Sequence, residues 1–315
     1  MLENFLFSLN AVMPLFLIIA GGFLMRKTRF VSAEFVAGGN KLVFYVALPL
    51  TLFRNVYTSD VSDLLDLPFI AFVMISSLLV FFAIWVVSAF FIKDKNILGA
   101  FVQGAFRGNF AFLGMPLLFN LAGDAGIARA AIIITFVLPL YNIYSVVVLA
   151  ANSNSGHRVG PKTILFTIIK NPFIIGILIA LIFVLIGIEL PQMINRTTVY
   201  AANMATPMAL LCLGAGINFQ GFDKKFKFAV ISGAIKVIAV PVVLVTAAYL
   251  LGFRDYDLAA ILVLGGIPSA IVGYAMVVQM GGDTYIAGTV VVISTLMSAV
   301  TLTMFVYVMR VMGLL

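Results

Sequence analysis

Long apolar stretches without a single charged residue constrain the fold more than any other feature of this sequence. Six of them reach about the 20 residues that a helix needs to cross a bilayer, and a seventh, 171–188, is slightly shorter. Three more apolar segments carry one internal cation each. The charge-free runs are 4–25, 67–92, 130–156, 197–222, 258–282 and 284–309, and the others are 33–55 (Lys41), 97–121 (Arg107) and 226–252 (Lys236). We therefore predict an all-α integral membrane protein with ten transmembrane helices.

The composition excludes the large classes of water-soluble proteins. Apolar residues make up 63% of the 315 positions and charged residues only 10%, whereas soluble domains are about 25% charged. A soluble enzyme or a nucleic-acid-binding domain could not cover this much apolar surface. One cysteine, Cys212, cannot form an internal disulfide, and one histidine, His157, cannot alone form a metal site. With no phosphate loop or nucleophile triad, the sequence predicts a bilayer protein that is not an enzyme and needs no cofactor or nucleic acid.

Loops that are rich in basic residues alternate along the chain with loops that have few, and this alternation predicts the orientation of the chain. Arg26, Lys27 and Arg29 follow the first span, whereas only Arg54 follows the second, and later loops continue the pattern until the ninth span. Cytoplasmic loops carry the excess of Lys and Arg, so the net charge of +7 is read as membrane topology. We expect a multi-pass protein of the cell (inner) membrane with both termini outside the cytoplasm.

Prolines recur at corresponding places in the two halves of the chain, and the first two of each half are 35 residues apart. They are Pro14, Pro49 and Pro116 in the first half and Pro172, Pro207 and Pro268 in the second. Five spans is an odd number, so a second copy enters the membrane from the opposite side, as in many secondary transporters. We predict inverted five-helix repeats at 1–151 and 163–315, joined by a polar cytoplasmic linker at 152–162. Chance recurrence of a residue common in membrane helices is the alternative.

Spans four and nine combine glycine with proline near their middle, and we predict that both are broken helices. The residues concerned are Gly108, Asn109, Gly114 and Pro116 in span four, and Gly266, Pro268 and Ser269 in span nine. Loosened backbone persists in a membrane only where protein or a water-filled cavity satisfies it, so the breaks indicate a substrate site. Each proline is expected to begin a half-helix whose free N–H groups favour an anion such as a carboxylate. Simple kinks in packed helices are the alternative.

The charged groups inside the predicted spans are all cationic. They are Lys41, Arg107 and Lys236. A buried cation costs about 2.5 kcal/mol or more, so each is a candidate functional residue, with snorkelling towards the headgroups as the alternative. We expect Arg107 to face the cavity because it adjoins the predicted break. Asn171 is a further site candidate, with capping of the next helix as the alternative. No Asp or Glu lies at mid-depth, which weakens tight cation coupling.

Four segments carry a resemblance to a known family. They are 40–49 (NKLVFYVALP), Gly108-Asn109 followed by Gly114-Met115-Pro116, Lys170-Asn171-Pro172, and Gly266-Ile267-Pro268-Ser269. With these motifs the chain resembles the auxin efflux carrier family, which comprises the plant PIN-FORMED proteins and bacterial members similar to malate or malonate permeases. The resemblance covers essentially the whole chain. The long cytoplasmic loop of many plant members is replaced by the short linker 152–162, as in bacterial members.

The resemblance implies a fold like that of the bile-acid sodium symporters. Spans 1, 2, 6 and 7 would form a scaffold that dimerises, and spans 3–5 and 8–10 would form a transport domain in which spans four and nine cross at their prolines. Asn109 matches the asparagine that contacts the anionic substrate in the plant proteins. Sodium symporters of this fold use a carboxylate on span nine, where this chain has Pro268-Ser269-Ala270, so the resemblance does not imply sodium coupling.

The leading functional hypothesis is a secondary transporter that moves a small organic anion by an elevator-like mechanism. The predicted substrate-binding residues are Arg107, Asn109, Gly114, Pro116, Asn171, Gly266, Pro268 and Ser269. A sodium- or proton-coupled dicarboxylate uptake symporter is the alternative within transport. A membrane sensor that binds its ligand without moving it is an alternative from a different class. The residues leave the substrate's identity, the direction of transport and the coupling ion open.

Overall fold

A computed structural model describes residues 17–58, 66–152, 170, 172–216 and 225–315. Its helices are 17–27, α1 (Ala33–Leu42), α2 (Leu48–Tyr57), α3 (Leu67–Phe91), α4 (Lys95–Phe106), α5 (Met115–Ile132), α6 (Leu138–Ala151), α7 (Pro172–Ile186), α8 (Gln192–Asn203), α9 (Ala205–Gly216), α10 (Phe226–Ala234), α11 (Val240–Leu250), α12 (Asp255–Gly266), α13 (Ile271–Met280) and α14 (Thr284–Val311). The described residues are therefore almost entirely helical, which confirms the all-α prediction.

Six helical segments are long and apolar enough to cross a membrane, counted over the described residues. They are Ala33–Arg54, Leu67–Phe91, Ala128–Ala151, Gln192–Gly216, Phe226–Leu250 and Thr284–Val311. Two shorter apolar helices, Pro172–Ile186 and Ile271–Met280, accompany them. The six segments match the membrane-protein class that the apolar runs predict. Asn171 and nearly all of the linker 152–162 lie outside the described residues.

Four π-helical turns interrupt the helices, and each ends one residue before an X-Pro pair. They are Val43–Ala47, Phe110–Gly114, Ile133–Val137 and Ile235–Ala239. A proline ring clashes with the carbonyl of the residue four positions earlier, and that residue is the centre of each π turn: Tyr45 for Pro49, for example. The wider turn relieves this clash without ending the helix. Most of these prolines therefore introduce a π bulge into a helix that continues beyond them, and they do not break the helix.

Two helices do end in the middle of the fold. Helix α4 stops at Phe106 and helix α12 stops at Gly266, and the residue that follows each has extended backbone angles. Helix α5 contains a separate turn at Gly123, whose φ of 56° and ψ of −140° divide this element into two helices. Positive φ is a conformation that glycine adopts at little steric cost. The element therefore has a kink at Gly123. The breaks after α4 and α12 lie within stretches of sequence that are each predicted as a single span.

The helices form two packed groups. Within the first group, the most extensive contacts join α2 with α7 and α8, and α1 with α9. Within the second, α10 packs on α14, and α12 packs on both α5 and α11. Contacts between the groups, such as those of α13 with α9, are fewer. The two broken helices belong to the second group, and their breaks lie at the interface between the two groups.

Arg129 ties three helices of the second group together at one end. Its guanidinium donates to the carboxylate of Asp66, which caps α3, and to that of Asp257 in the first turn of α12, both at 2.6 Å. The same guanidinium carbon lies 4.6 Å from the centre of the Phe69 ring. Charge-assisted hydrogen bonds of this kind are shorter and stronger than those between neutral groups. Arg129 therefore links α5 to the N-terminal ends of α3 and α12.

Glycines allow the helix at 17–27 to cross α9 with the backbones in contact. A Cβ atom on Gly214 would lie 1.9 Å from the carbonyl oxygen of Ile19, and one on Gly22 would lie 2.2 Å from that of Leu211. Neither distance is possible for a real side chain, because the atoms that would have to move belong to the backbone. Gly21, the neighbour of Gly22, has nothing within 4 Å of its Cβ position. Small residues that let membrane helices approach closely are a general feature of their interfaces.

We predict that Gly214→Ala lowers the free energy of unfolding by about 3 kcal/mol, because the new methyl group forces the two backbones apart. Gly21→Ala is the matched control and is expected to stay within about 1 kcal/mol of the wild type, since it only adds a better helix former. Equilibrium unfolding of the purified protein in detergent measures both. Equal stability of the two variants would contradict the close crossing.

Candidate functional site

The two breaks meet each other through their backbones. Gly108 and Ser269 form an isolated antiparallel bridge. The N–H of Asn109 donates to the carbonyl of Pro268 at 2.8 Å, and the N–H of Ala270 donates to the carbonyl of Arg107 at 3.0 Å. Each extended segment thus satisfies polar groups that the other has left without helical partners, as buried backbone requires. We call this meeting point, residues 107–109 and 267–270, the crossover.

The prediction that both prolines begin the second half-helices is wrong in detail. Pro268 lies inside the extended segment, and α13 begins only at Ile271. Pro116 is the second residue of α5, well past the break, and a π turn from Phe110 to Gly114 precedes that helix. In the first half the helix ends at Phe106 instead, and Gly108 leaves room for the side chain of Ile267, which would lie 2.8 Å from a Cβ at that position.

The amides expected to bind an anion are partly used within the crossover. The N–H groups of Asn109 and Ala270 pair with crossover carbonyls, and the N–H of Ser269 donates to the hydroxyl oxygen of Ser294 on α14 at 3.0 Å. Positive charge at this place therefore comes chiefly from a side chain. That side chain belongs to Arg107, which ends helix α4.

Arg107 is buried with only 5% of its surface exposed, and it is held by neutral acceptors. Its guanidinium donates to the amide oxygen of Asn142 at 2.6 Å, to the hydroxyl of Ser145 at 3.0 Å and to the sulfur of Met276 at 3.0 Å. No carboxylate lies within ion-pair distance of it among the residues that the structure describes. The full positive charge is thus unneutralised, although burying such a charge in a membrane is costly.

A small cavity lies beside the guanidinium, between the two groups of helices. It has a volume of about 30 Å³, which is room for about two water molecules at roughly 10–15 Å³ each. Its lining consists of Leu48, Thr51 and Leu52 from α2, Arg107, Gly108, Asn109 and Ala270 from the crossover, Phe110 from the next turn, Leu138, Tyr141 and Asn142 from α6, and Val272 from α13. The cavity therefore joins the crossover to a helix of the other group.

Asn109 lines this cavity with a free side chain. Only 4% of the surface of Asn109 is exposed. Its amide group makes no hydrogen bond within the described part of the chain. An Asn side chain can donate two hydrogen bonds and accept others. Two donors, one charged and one neutral, therefore border the same cavity.

Gly114, Gly266, Pro268 and Ser269, four other predicted site residues, do not line the cavity. A Cβ on Gly114 would meet the ring of Phe110 at 2.7 Å, and one on Gly266 would meet the side chain of Leu302 at 2.8 Å, so both glycines serve packing. Pro268 and Ser269 shape the crossover through their backbone groups. For Pro116 only the helical position is described, and Asn171 lies outside the described residues.

The three intramembrane cations occupy very different environments. Lys41 is exposed at the end of α1. Lys236 is fully buried, and its ammonium group donates to the backbone carbonyls of Gly265 and Leu264 at the end of α12. Arg107 at the crossover and Lys236 beside it are therefore buried, whereas Lys41 is exposed.

Sequence reasoning missed the partners of Arg107. Asn142 and Ser145 lie three residues apart on α6 and share one face of that helix. Both are completely buried. Polar residues repeated at helical spacing inside an otherwise apolar run were the available signal. Thr51 and Tyr141, which also line the cavity, gave no comparable signal.

The arrangement provides positive charge and hydrogen-bond donors. Within the described ranges, no cluster of three His, Cys, Asp or Glu residues could hold a metal ion. A guanidinium beside a free amide, in a site away from bulk water, can bind and orient an anion.

The family of membrane transport proteins matches this chain over residues 7–306. The chain belongs to that family. This finding confirms the resemblance to the auxin efflux carriers, and with the apolar helices it establishes a multi-pass membrane protein of a transporter family rather than an enzyme family.

Three relatives align with this chain over most of its length and most of their own. A protein of Methanothermobacter thermautotrophicus, named as an uncharacterized transporter, is 22% identical over 95% of this chain and 97% of its own. The uncharacterized transporter MJ1031 of Methanocaldococcus jannaschii is 24% identical over 83% of this chain and 86% of its own. A Rhizobium meliloti protein whose name proposes malonate transport is 25% identical over 95% of both chains.

We predict that Arg107 and Asn142 are energetically coupled. Asn142→Leu removes the acceptor of a buried charge, so its cost should be smaller by about 1–3 kcal/mol when Arg107→Met is already present. Equilibrium unfolding of the two single variants and the double variant gives this coupling energy. The control pair combines Arg107→Met with a substitution of Asn203, which is exposed. If the effects of the Arg107 and Asn142 substitutions on the free energy of unfolding are additive, the contact between these residues is contradicted.

Proposed function

We propose that this protein is a secondary transporter of a small organic anion, with a carboxylate as the chemical class of its substrate. The observation that carries the proposal is the buried Arg107 guanidinium, which borders a cavity without a neutralising carboxylate among the described residues. An anion that enters the cavity would supply the missing charge and gain bidentate hydrogen bonds. The transporter family and the relative named for malonate transport support the same substrate class.

Asn109 would complete the recognition of the carboxylate. It stands two residues after Arg107, borders the same cavity, and has no competing partner in the described structure. A neutral amide can donate to one carboxylate oxygen while the guanidinium binds the other, which orients the anion across the crossover. The hydroxyl of Thr51 is less available, because it donates to the carbonyls of Ala47 and Ala202.

Movement of one helix group past the other would carry the anion across the membrane. The cavity holds about two water molecules, so α2 and the crossover must separate before even a small carboxylate can enter. The packing of the helices into two groups, with the cavity between them, supports an elevator-like mechanism with alternating access. The group with 17–27, α1, α2 and α7–α9 would be the scaffold, and the group with the crossover would be the moving domain.

The wider architecture that we propose has ten spans in two inverted five-helix repeats at 1–151 and 163–315, separated by the linker 152–162. The breaks after α4 and α12 occupy corresponding places in the two halves, which supports this symmetry. We place the protein in the cell membrane with both termini outside the cytoplasm and expect a homodimer through the scaffold. Export of a monoanion from a negative-inside cell would gain about 2.3 kcal/mol per 100 mV.

We predict that the purified protein is stabilised by a small carboxylate and that Arg107→Met weakens this binding by about 10–100-fold, the value of one or two charge-assisted hydrogen bonds. Asn109→Ala should weaken it by about 5–10-fold. The measurement is a thermal-shift titration with mono- and dicarboxylates, malonate included, because stabilisation follows the ratio of ligand concentration to Kd. Flux of the binding carboxylate into proteoliposomes then tests translocation.

The matched controls are Arg310→Met and Asn203→Ala, which remove the same groups from exposed positions and should leave affinity unchanged. Binding without flux would favour a sensor over a transporter. Flux that follows an imposed sodium or proton gradient at clamped voltage would favour a symporter. Failure of a broad panel of organic acids to bind or move would contradict the proposed function.

A further inference from the structure

Lys236 lies behind the crossover, away from the cavity that Arg107 borders. Its side chain is completely buried, and its ammonium group contacts the carbonyl oxygens of Gly265 and, at 3.3 Å, of Leu264. These carbonyls belong to the last turn of α12, and the helix stops at Gly266. The final carbonyls of a helix have no partner within the helix and carry its partial negative charge.

The local sequence explains how Lys236 reaches this place. It lies in the π turn Ile235–Ala239, whose widened backbone accommodates Pro241. Gly265 lets the proline approach, because a Cβ there would lie 2.9 Å from the Cα of Pro241. One turn earlier, the hydroxyl of Ser232 donates to the carbonyl of Phe101 on α4 at 2.8 Å. The span that carries Lys236 is thus packed against both broken helices.

The crossover separates the two buried cations. A Cβ on Gly108 would meet the side chain of Ile267 at 2.8 Å and the Cε atom of Lys236 at 3.3 Å. Lys236 therefore lies directly under the crossover backbone, while Arg107 points to α6 and the cavity. In the described structure neither cation is within ion-pair distance of a carboxylate. Lys236 does not line the cavity, but it lies close to Gly108, which does.

Carbonyls at the ends of broken half-helices are where transporters commonly coordinate sodium or a proton. At this crossover, the end of α12 already holds a positive charge that is covalently attached to α10–α11. A tethered ammonium satisfies the same oxygens but cannot exchange with the solution. It therefore cannot be driven by an ion gradient.

We propose that Lys236 is a resident counter-cation, which occupies the carbonyl site at the end of α12 and makes the crossover independent of a bound metal cation. Two experiments test this inference, one on stability and one on transport, and only the transport experiment depends on the proposed function. The charge at the end of α12 can be tested on the purified protein without any substrate.

The stability arm compares Lys236→Met and Lys236→Gln with the wild type in choline, sodium, potassium and methylammonium chloride at equal ionic strength. The wild type should have the same Tm in all four salts. Lys236→Met should have a lower Tm in choline, and methylammonium or sodium should raise it by about 2–4 °C as the vacated carbonyls bind a free cation. Lys236→Gln keeps a hydrogen-bond donor without the charge, and it should show the same cation response.

Lys41→Met is the matched control, since it removes a lysine that is exposed at the end of α1. Its Tm should be insensitive to the choice of cation. A Lys236→Gln variant with the wild-type Tm and no cation response would overturn the proposal, because hydrogen bonding alone would then explain the lysine. A wild-type Tm that rises specifically in sodium would also overturn it. If Lys236→Met does not fold, the glutamine variant decides.

The transport arm measures carboxylate uptake by wild-type proteoliposomes at clamped voltage, with sodium, potassium or choline outside. Equal rates are expected, and a rate at least twofold higher in sodium would overturn the proposal. If the wild type moves no carboxylate at all, the proposed function fails, while the stability arm still decides the role of Lys236.

Discussion

A peptide group inside a membrane must find a hydrogen-bond partner in the protein, and this requirement organises the centre of the molecule. Where α4 and α12 end, two pairs of backbone groups lose their helical partners. They recover them from each other, through Asn109 with Pro268 and Arg107 with Ala270. The crossover is therefore a structural necessity of two breaks in one place. It brings together the ends of four helical segments, and with them two buried cations.

The two buried cations have different partners, and we therefore expect them to have different roles at the crossover. Lys236 contacts backbone carbonyls, so its charge is balanced by the end of a helix. Arg107 contacts an amide, a hydroxyl and a sulfur, so its charge is solvated but not neutralised. The second arrangement leaves the positive charge of Arg107 without an anionic partner among the described residues, and a cavity borders Arg107. The same backbone feature thus accounts for both the proposed binding site and the proposed independence from metal cations.

The sequence predicts the helical class and the neighbourhood of both breaks, but it does not distinguish a break from a bulge. Pro49, Pro139 and Pro241 each follow a π turn and leave their spans continuous, whereas Pro268 lies in an extended segment. The difference comes from tertiary packing, because the opposite strand of backbone arrives at Gly108 and not at Pro116. Lys41 and Lys236 likewise look alike in sequence, and only packing makes one exposed and the other buried.

We propose that an anion binds at the crossover beside Arg107 and Asn109. An experimental structure of the protein with malonate would show whether it does. We expect density for a carboxylate between the Arg107 guanidinium and the Asn109 amide, with α2 moved away from the crossover and the backbone pair Asn109–Pro268 intact. Continuous helices through residues 107–109 and 267–270, or a bound carboxylate remote from Arg107, would contradict it.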